Sequence, residues 1–292
     1  MIPYGKHTIN KTDIKSVIDV LKNHPLTQGK FVQKFEKNFA KYVGSKYSVA
    51  VSSASAGLHI CNKALNINSN DLVISTPISF VSTVNSSLHS NAKIILADIE
   101  LNNLNLSPDE VIKIIKKHKK KIKLIIPVHF AGKAFEIEKI KKIAKKYNIK
   151  ILEDAAHALG SRYKNKQMVG SCKDSLAAVF SLHPVKHIAA GEGGVITTNN
   201  YLFYKKLLRL RSHGINKLDD ELQNKKIKRE IIQKKEPKLW YYEMQELGFN
   251  YRITDIQCAL ANSQLLRINK FVTKRKKLAK KYHELFSSFK NL

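Results

Sequence analysis

The sequence predicts an α/β protein with a mostly parallel sheet between helices, and three observations carry that prediction. Short apolar runs recur along the chain, at residues 47–51, 72–75, 93–97, 122–127, 149–152 and 176–180. Between them lie longer stretches with apolar residues at helical spacing, such as 56–65, 108–118 and 136–147. A chain of 292 residues is long enough to bury one sizeable core. Alternation of this kind is what buries a parallel sheet on both faces.

Taken in order, residues 12–22 and 30–42 read as amphipathic helices. They are joined by His24-Pro25-Leu26-Thr27-Gln28-Gly29, whose proline and glycine make it a loop. These helices form an amino-terminal arm, residues 1–45. Residues 46–250 hold the alternating strands and helices, with helix 81–89 following strand 72–75 and a final strand at 194–197. Between residues 216 and 237 the chain turns highly charged and loses apolar periodicity, which predicts an exposed excursion. From Ile253 one long helical pattern, through Ile256, Leu260, Leu265, Ile268 and Leu278, runs nearly to the end, so residues 251–292 are predicted to form a long helix.

Charge and cysteines narrow the function classes. The 52 basic and 23 acidic residues give a formal charge of +29. The excess is mostly lysine, set among Ile, Ala and Val at helical spacing in 112–121 and 137–146, the pattern of solvated helix faces rather than a specific nucleic-acid surface. Cys61, Cys172 and Cys258 form no CxxC pair and are expected to be reduced thiols. The start lacks an apolar signal region and no apolar run approaches membrane length, so a soluble, cytoplasmic protein without a membrane partner is expected.

One lysine stands apart from the rest. Lys186 follows Phe180-Ser181-Leu182-His183-Pro184-Val185 at the exit of an apolar strand and precedes Gly191-Glu192-Gly193-Gly194. The strand 149–152 likewise ends in Glu153-Asp154-Ala155-Ala156-His157, placing a carboxylate at a strand's carboxyl end, where ligands of open α/β sheets gather. A pyridoxal phosphate site needs a lysine for the Schiff base, an acid to keep the pyridine nitrogen protonated, and donors for the phosphate. Lys186, Asp154 and Ser181 supply these, together with the turn Ser52-Ser53-Ala54-Ser55-Ala56-Gly57 at a helix amino terminus. Phe80 could stack on the ring and His157 could donate to its phenolic oxygen. Each residue alone has a commoner structural role, as a helix cap, a core anchor or a satisfied histidine. Their order along the chain favours the functional reading.

These residues, with Thr27-Gln28-Gly29-Lys30, Thr76-Pro77-Ile78-Ser79-Phe80, Arg211-Ser212-His213-Gly214 and Gly248-Phe249-Asn250-Tyr251-Arg252, resemble the DegT-type sugar nucleotide aminotransferases, a family of fold type I pyridoxal phosphate enzymes. The motifs span nearly the whole chain. The resemblance implies that residues 46–250 are the cofactor-binding large domain and that 251–292 lead into a truncated carboxyl-terminal domain. The family's small carboxyl-terminal domain is expected to be missing from this chain, which stops at Leu292.

Residue by residue, the resemblance implies that Lys186 links to pyridoxal 5'-phosphate, Asp154 binds its ring nitrogen, Phe80 covers the ring and His157 meets the ring oxygen. Ser55, Ala56 and Ser181 would hold the phosphate, with Asn250 reaching over from the second subunit of a homodimer with shared active sites. Ser53 would lie near cofactor or substrate, and Tyr4, Leu26 and Thr27 would meet the sugar nucleotide. Within the family, the phrases at 76–81, 211–214, 239–244 and 248–254 most resemble the subgroup that aminates position 4 of a UDP-sugar in pseudaminic acid biosynthesis, with L-glutamate as donor. Two other readings differ on specific residues. Family-related dehydratases carry histidine where this chain has Lys186, and a non-catalytic binder would rest on bulk charge alone.

Overall fold

The computed structural model describes residues 5–118, 121–216, 222–225, 227, 229–230 and 241–289. The main sheet has seven strands: β1 (Tyr47–Val51), β2 (Leu72–Ser75), β3 (Lys93–Leu96), β4 (Ile122–Ile125), β5 (Lys150–Asp154), β6 (Ala177–Ser181) and β7 (Gly194–Thr198). Their order across the sheet is β1-β7-β6-β5-β4-β2-β3. All pairings are parallel except those of β7, which runs antiparallel to β1 and to β6.

Successive residues of a strand face opposite sides of the sheet, and each side here has its own core. Ala50, Ile74, Ile125, Ile151, Phe180 and Val195 pack with α2 (Lys30–Val43), α5 (Pro108–His118), α6 (Ile137–Tyr147) and α8 (Asp255–Leu265). Val51, Val73, Leu124, Leu152, Val179 and Ile196 pack on the other side with α3 (Ala54–Ala64) and α7 (Tyr201–Arg211). The expected mostly parallel sheet covered on both faces is therefore present. The lysine-rich stretches behave as expected too: α5 buries Val111 and Ile115, and α6 buries Ile137, Ile140 and Ile143, while their lysines stay outside the core.

Three features differ from the sequence reading. Helix α7 was not predicted, although Phe203, Leu207 and Leu210 bury one of its faces. The pattern from Ile253 is two helices, α8 and α9 (Ile268–Phe286), parted at Leu266 and Arg267. At that break the Arg267 side chain turns to donate from Nη2 to the buried Asp13 of α1 (Lys11–Asn23), at 2.5 Å. The chain flanking the charged excursion pairs as β8 (Ile215–Asn216) and β9 (Glu243–Met244), while most of the segment between them lies outside the described residues. Among the described residues no helix is long and apolar enough to cross a membrane.

The amino-terminal helices are fastened to α8 by buried carboxylates. Gly29, which precedes α2, offers no side-chain cap. Asp255 supplies it from far along the chain, accepting from the amides of Gly29 at 2.7 Å and Phe31 at 2.9 Å. Asp255 is fully buried, so removing it strands those amides without water. Asp255→Ala is expected to destabilise the protein by about 3 kcal/mol, read as a lower urea midpoint.

Candidate active site

Because β5 and β6 are parallel, both end at the same edge of the sheet, and the sequence-predicted acid and phosphate residues meet there. Asp154 is the last residue of β5 and pairs in register with Val179 of β6. It shares the parity of Leu152 and faces the side covered by α3 and by α4 (Val81–Leu88). Thr83 of α4 donates to Asp154 Oδ2 at 2.6 Å, and the Ala156 amide donates to Oδ1 at 3.1 Å. The carboxylate is thus buried and fixed in orientation.

The phosphate turn lies on the same edge. Gly194 of β7 pairs with Val51 on one side and with Ser181 on the other, so one row of residues crosses from β1 to β6. Past Val51 the chain enters α3, where Ser53 caps the helix by accepting from the Ala56 amide at 3.1 Å. With the Ala56 amide so engaged, the groups of this turn left for an anion are the Ser55 hydroxyl and the Ala54 and Ser55 amides. A Cβ on Gly194 would lie 2.5 Å from the Ser53 carbonyl carbon and 2.6 Å from the Ala54 nitrogen. Only glycine lets the turn come this close to β7.

Lys186 lies in the loop from β6 to β7, its amide donating to the His183 carbonyl at 2.8 Å. Arg275 of α9 holds the same residue by donating from Nη2 to the Lys186 carbonyl at 3.0 Å. Lys186, His157, His187 and Arg275 line a cavity of about 630 Å³. Burial lowers the pKa of the Lys186 amine, and the nearby negative charge of Asp154 works against that shift. His157 is lowered by burial first and then by Lys186, with Asp154 opposing. Lys186, Asp154 and His157 thus act on one another electrostatically as neighbours.

Phe80 stands at the start of α4 with 70% of its surface exposed, one helical turn from Thr83. Leu26 and Thr27 are exposed and held at the amino terminus of α8, where the Asp255 amide donates to the Leu26 carbonyl at 2.9 Å and Thr27 bridges Thr254. Asn250 is exposed and bridges Ser212. Among the described residues, none of Leu26, Thr27 and Asn250 hydrogen-bonds Lys186 or Asp154 within this chain. Tyr4 lies outside the described residues, but its neighbour Gly5 packs on Val185, where an added Cβ would meet Cγ1 at 2.9 Å. Thr83, Arg275 and the spacing role of Gly194 were not foreseen. For Thr83 a signal existed, since it follows Phe80 by the three residues that share a helix face.

Two histidines beyond this set give the protein a pH dependence. His187 is brought down to about 4 by burial, with Arg275, His157 and Lys186 adding to it. His59 is brought down to about 4 by burial and by the charges of His89 and Lys63. The unfolded chain therefore binds more protons than the folded one between about pH 6.5 and 4. Stability is full above that window and falls as the pH drops through it. The melting temperature is expected to fall from pH 7 to 5, and less steeply in His59→Gln and His187→Gln.

The residues present suit pyridoxal phosphate. His157 Nδ1 is buried with no partner among the described residues, a polar atom ready for a ring oxygen. The open donors of Ala54 and Ser55 match a phosphate, the Asp154 carboxylate matches a protonated ring nitrogen, and the exposed Phe80 ring supplies a stacking face.

The family model of the DegT/DnrJ/EryC1/StrS aminotransferase family matches residues 7–292. The UDP-4-amino-4,6-dideoxy-N-acetyl-beta-L-altrosamine transaminase of Campylobacter jejuni is 37% identical over 286 residues, covering 98% of this chain and 70% of that protein. Among solved structures, PseC of Helicobacter pylori, an aminotransferase involved in the biosynthesis of pseudoaminic acid, superposes with a TM-score of 0.85 at 32% identity, covering 99% of this chain and 71% of PseC. Spr1654 of Streptococcus pneumoniae in its PMP-form gives a TM-score of 0.87 at 26% identity, covering 99% of this chain and 73% of that one. The fold is that of the type I pyridoxal phosphate aminotransferases, and the chain belongs to the DegT/DnrJ/EryC1/StrS aminotransferase family of sugar aminotransferases.

Proposed function

We propose that this sugar aminotransferase transfers the amino group of L-glutamate to a UDP-linked 4-keto-6-deoxy sugar, giving UDP-4-amino-4,6-dideoxy-N-acetyl-beta-L-altrosamine for pseudaminic acid biosynthesis. The observation that carries the substrate is the 37% identity with the Campylobacter jejuni transaminase across 98% of the chain. The similarity to PseC supports the same biosynthetic pathway.

Pyridoxal phosphate, when bound, supplies an aldehyde to carry the amino group and a ring to take up electrons from the donor's Cα. The rest falls to the protein. Lys186 Nζ would hold the aldehyde, and its lowered pKa leaves more of the amine neutral and able to attack and to accept a proton. The same amine, when free, would be the group placed to accept the proton from the donor's Cα. Asp154, oriented by Thr83 and the Ala156 amide, keeps a proton on the ring nitrogen. Phe80 would cover the ring face, and His157 Nδ1 would meet the ring oxygen. Ser55 and Ser181 would hold the phosphate; Ala56, whose amide is taken by Ser53, would serve there by fixing the turn, its amide reaching an anion only if Ser53 releases it.

Asn250, exposed in the single chain, reaches the phosphate of a second copy in a homodimer. Tyr4, Leu26 and Thr27 meet the sugar nucleotide. The buried, unpaired cysteines suit a cytoplasmic enzyme.

The test is an absorbance titration of the purified protein with pyridoxal phosphate. A visible band of lysine-bound cofactor should form, disappear with L-glutamate and return with the UDP-linked 4-keto-6-deoxy sugar. A band that returns only with a different nucleotide-linked keto sugar overturns the substrate assignment.

A further inference from the structure

On the face of β5 opposite Asp154 lies a buried polar cluster that none of the steps above uses. Glu153 shares the parity of Ile151 and points toward the core side that holds Phe135 and Tyr163. It is 1% exposed, yet it carries a carboxylate. Three side chains converge on it: Tyr163 and Ser175 donate their hydroxyls to Oε2 and Oε1, and His129 Nε2 lies 2.7 Å from Oε2. With Nε2 donating, the fully buried His129 keeps a bare Nδ1, which has no partner among the described residues. Burial, followed by the charge of Glu153, pushes the Tyr163 hydroxyl well up, so it stays protonated and remains a donor.

The three donors come from three segments packed around β5, one of them entering beside the strand's beginning. His129 follows β4, and its own amide donates to the Asp154 carbonyl at 3.0 Å, while the Asp154 amide donates to Pro127 at 2.9 Å. Ser175 leads into β6, where the Leu176 amide donates to Ile151 at 3.0 Å. Tyr163 belongs to the segment after His157. A buried charge without partners would be costly, but one held by three donors ties together every segment it touches. Here those segments carry Asp154 and His157.

We propose that Glu153 is a positioning residue for the cofactor site: with His129, Tyr163 and Ser175 it clamps the carboxyl end of β5, and so fixes Asp154 on the opposite face of the same strand against the cofactor's ring nitrogen. The inference rests on the assignment of Asp154 to that nitrogen. Glu153→Gln keeps the shape and removes the charge on which the donors converge.

The measurement is a double-mutant cycle on the dissociation constant for pyridoxal phosphate, with Glu153→Gln, Asp154→Asn and both together. Acting through Asp154, Glu153→Gln should weaken binding about tenfold alone and less than about twofold in the Asp154→Asn background. Amide exchange in the peptide covering 152–156 should also quicken in Glu153→Gln. Equal weakening in both backgrounds, or none in the single variant, overturns the proposal and leaves the Asp154 assignment standing. Unchanged binding in Asp154→Asn alone removes that assignment and this proposal together. If Glu153→Gln does not fold, Tyr163→Phe takes its place in the cycle, because it deletes one donor and leaves the carboxylate and the other two.

Discussion

Replacing Lys186 by alanine is expected to abolish the visible band of the cofactor-loaded protein and to lower turnover with glutamate by about a thousandfold or more. The size follows from the two tasks proposed for one amine, holding the aldehyde and moving the Cα proton. The side chain is only partly buried, and its backbone contacts with His183 and Arg275 survive the change, so the melting temperature should move little. His157 gives an internal check. The Lys186 charge lowers its pKa, so in Lys186→Ala the His157 titration should move upward, which NMR of the ring protons can follow. A variant that keeps full turnover would remove Lys186 from the chemistry.

Asp154→Asn is expected to fold and to lose about a hundredfold to ten-thousandfold in the rate of the half-reaction with glutamate, measured by stopped-flow absorbance. The amide oxygen can still accept from the Ala156 amide, and its nitrogen can donate to the Thr83 hydroxyl, which turns from donor to acceptor, so the site keeps its shape. What it loses is the negative charge proposed to hold a proton on the ring nitrogen. That same charge opposes the lowering of the Lys186 pKa, so in the variant the lysine pKa should fall further. Unchanged rates would separate Asp154 from the ring nitrogen.

How far the sequence alone leads can be seen at individual elements. The strands were legible because apolar runs such as those of β1 and β2 are buried on both faces, with Val49 to Val51 and Val73 to Ile74 fully enclosed. The direction of β7 was not, because a buried run of residues looks alike read either way. The end of α8 was hidden by an apolar rhythm that continues through Leu265 and Ile268 into α9, while the turn between them is set by Arg267 reaching Asp13. In the site, Lys186 and Asp154 announced themselves by chemistry at strand ends. Gly194 and Asp255 act through partners more than a hundred residues away, Ser53 and Gly29, and no local pattern records such contacts. Glu153 directly precedes Asp154 in the sequence, yet its donors His129, Tyr163 and Ser175 come from three separate segments.

The reversed direction of β7 also governs when the lysine becomes ordered. Since Ser181 and Gly194 face each other across the β6 and β7 ladder, both ends of the segment bearing Lys186 are anchored to neighbouring points of one hairpin. A short segment closed in this way loses its conformational freedom as the hairpin forms, with no long crossover to settle first. The backbone that carries the amine is therefore held, by His183 and Arg275 as well, before any cofactor arrives. Association with the aldehyde then becomes a matter of encounter rather than rearrangement, and its rate should rise in proportion to cofactor concentration without reaching a plateau set by a conformational step.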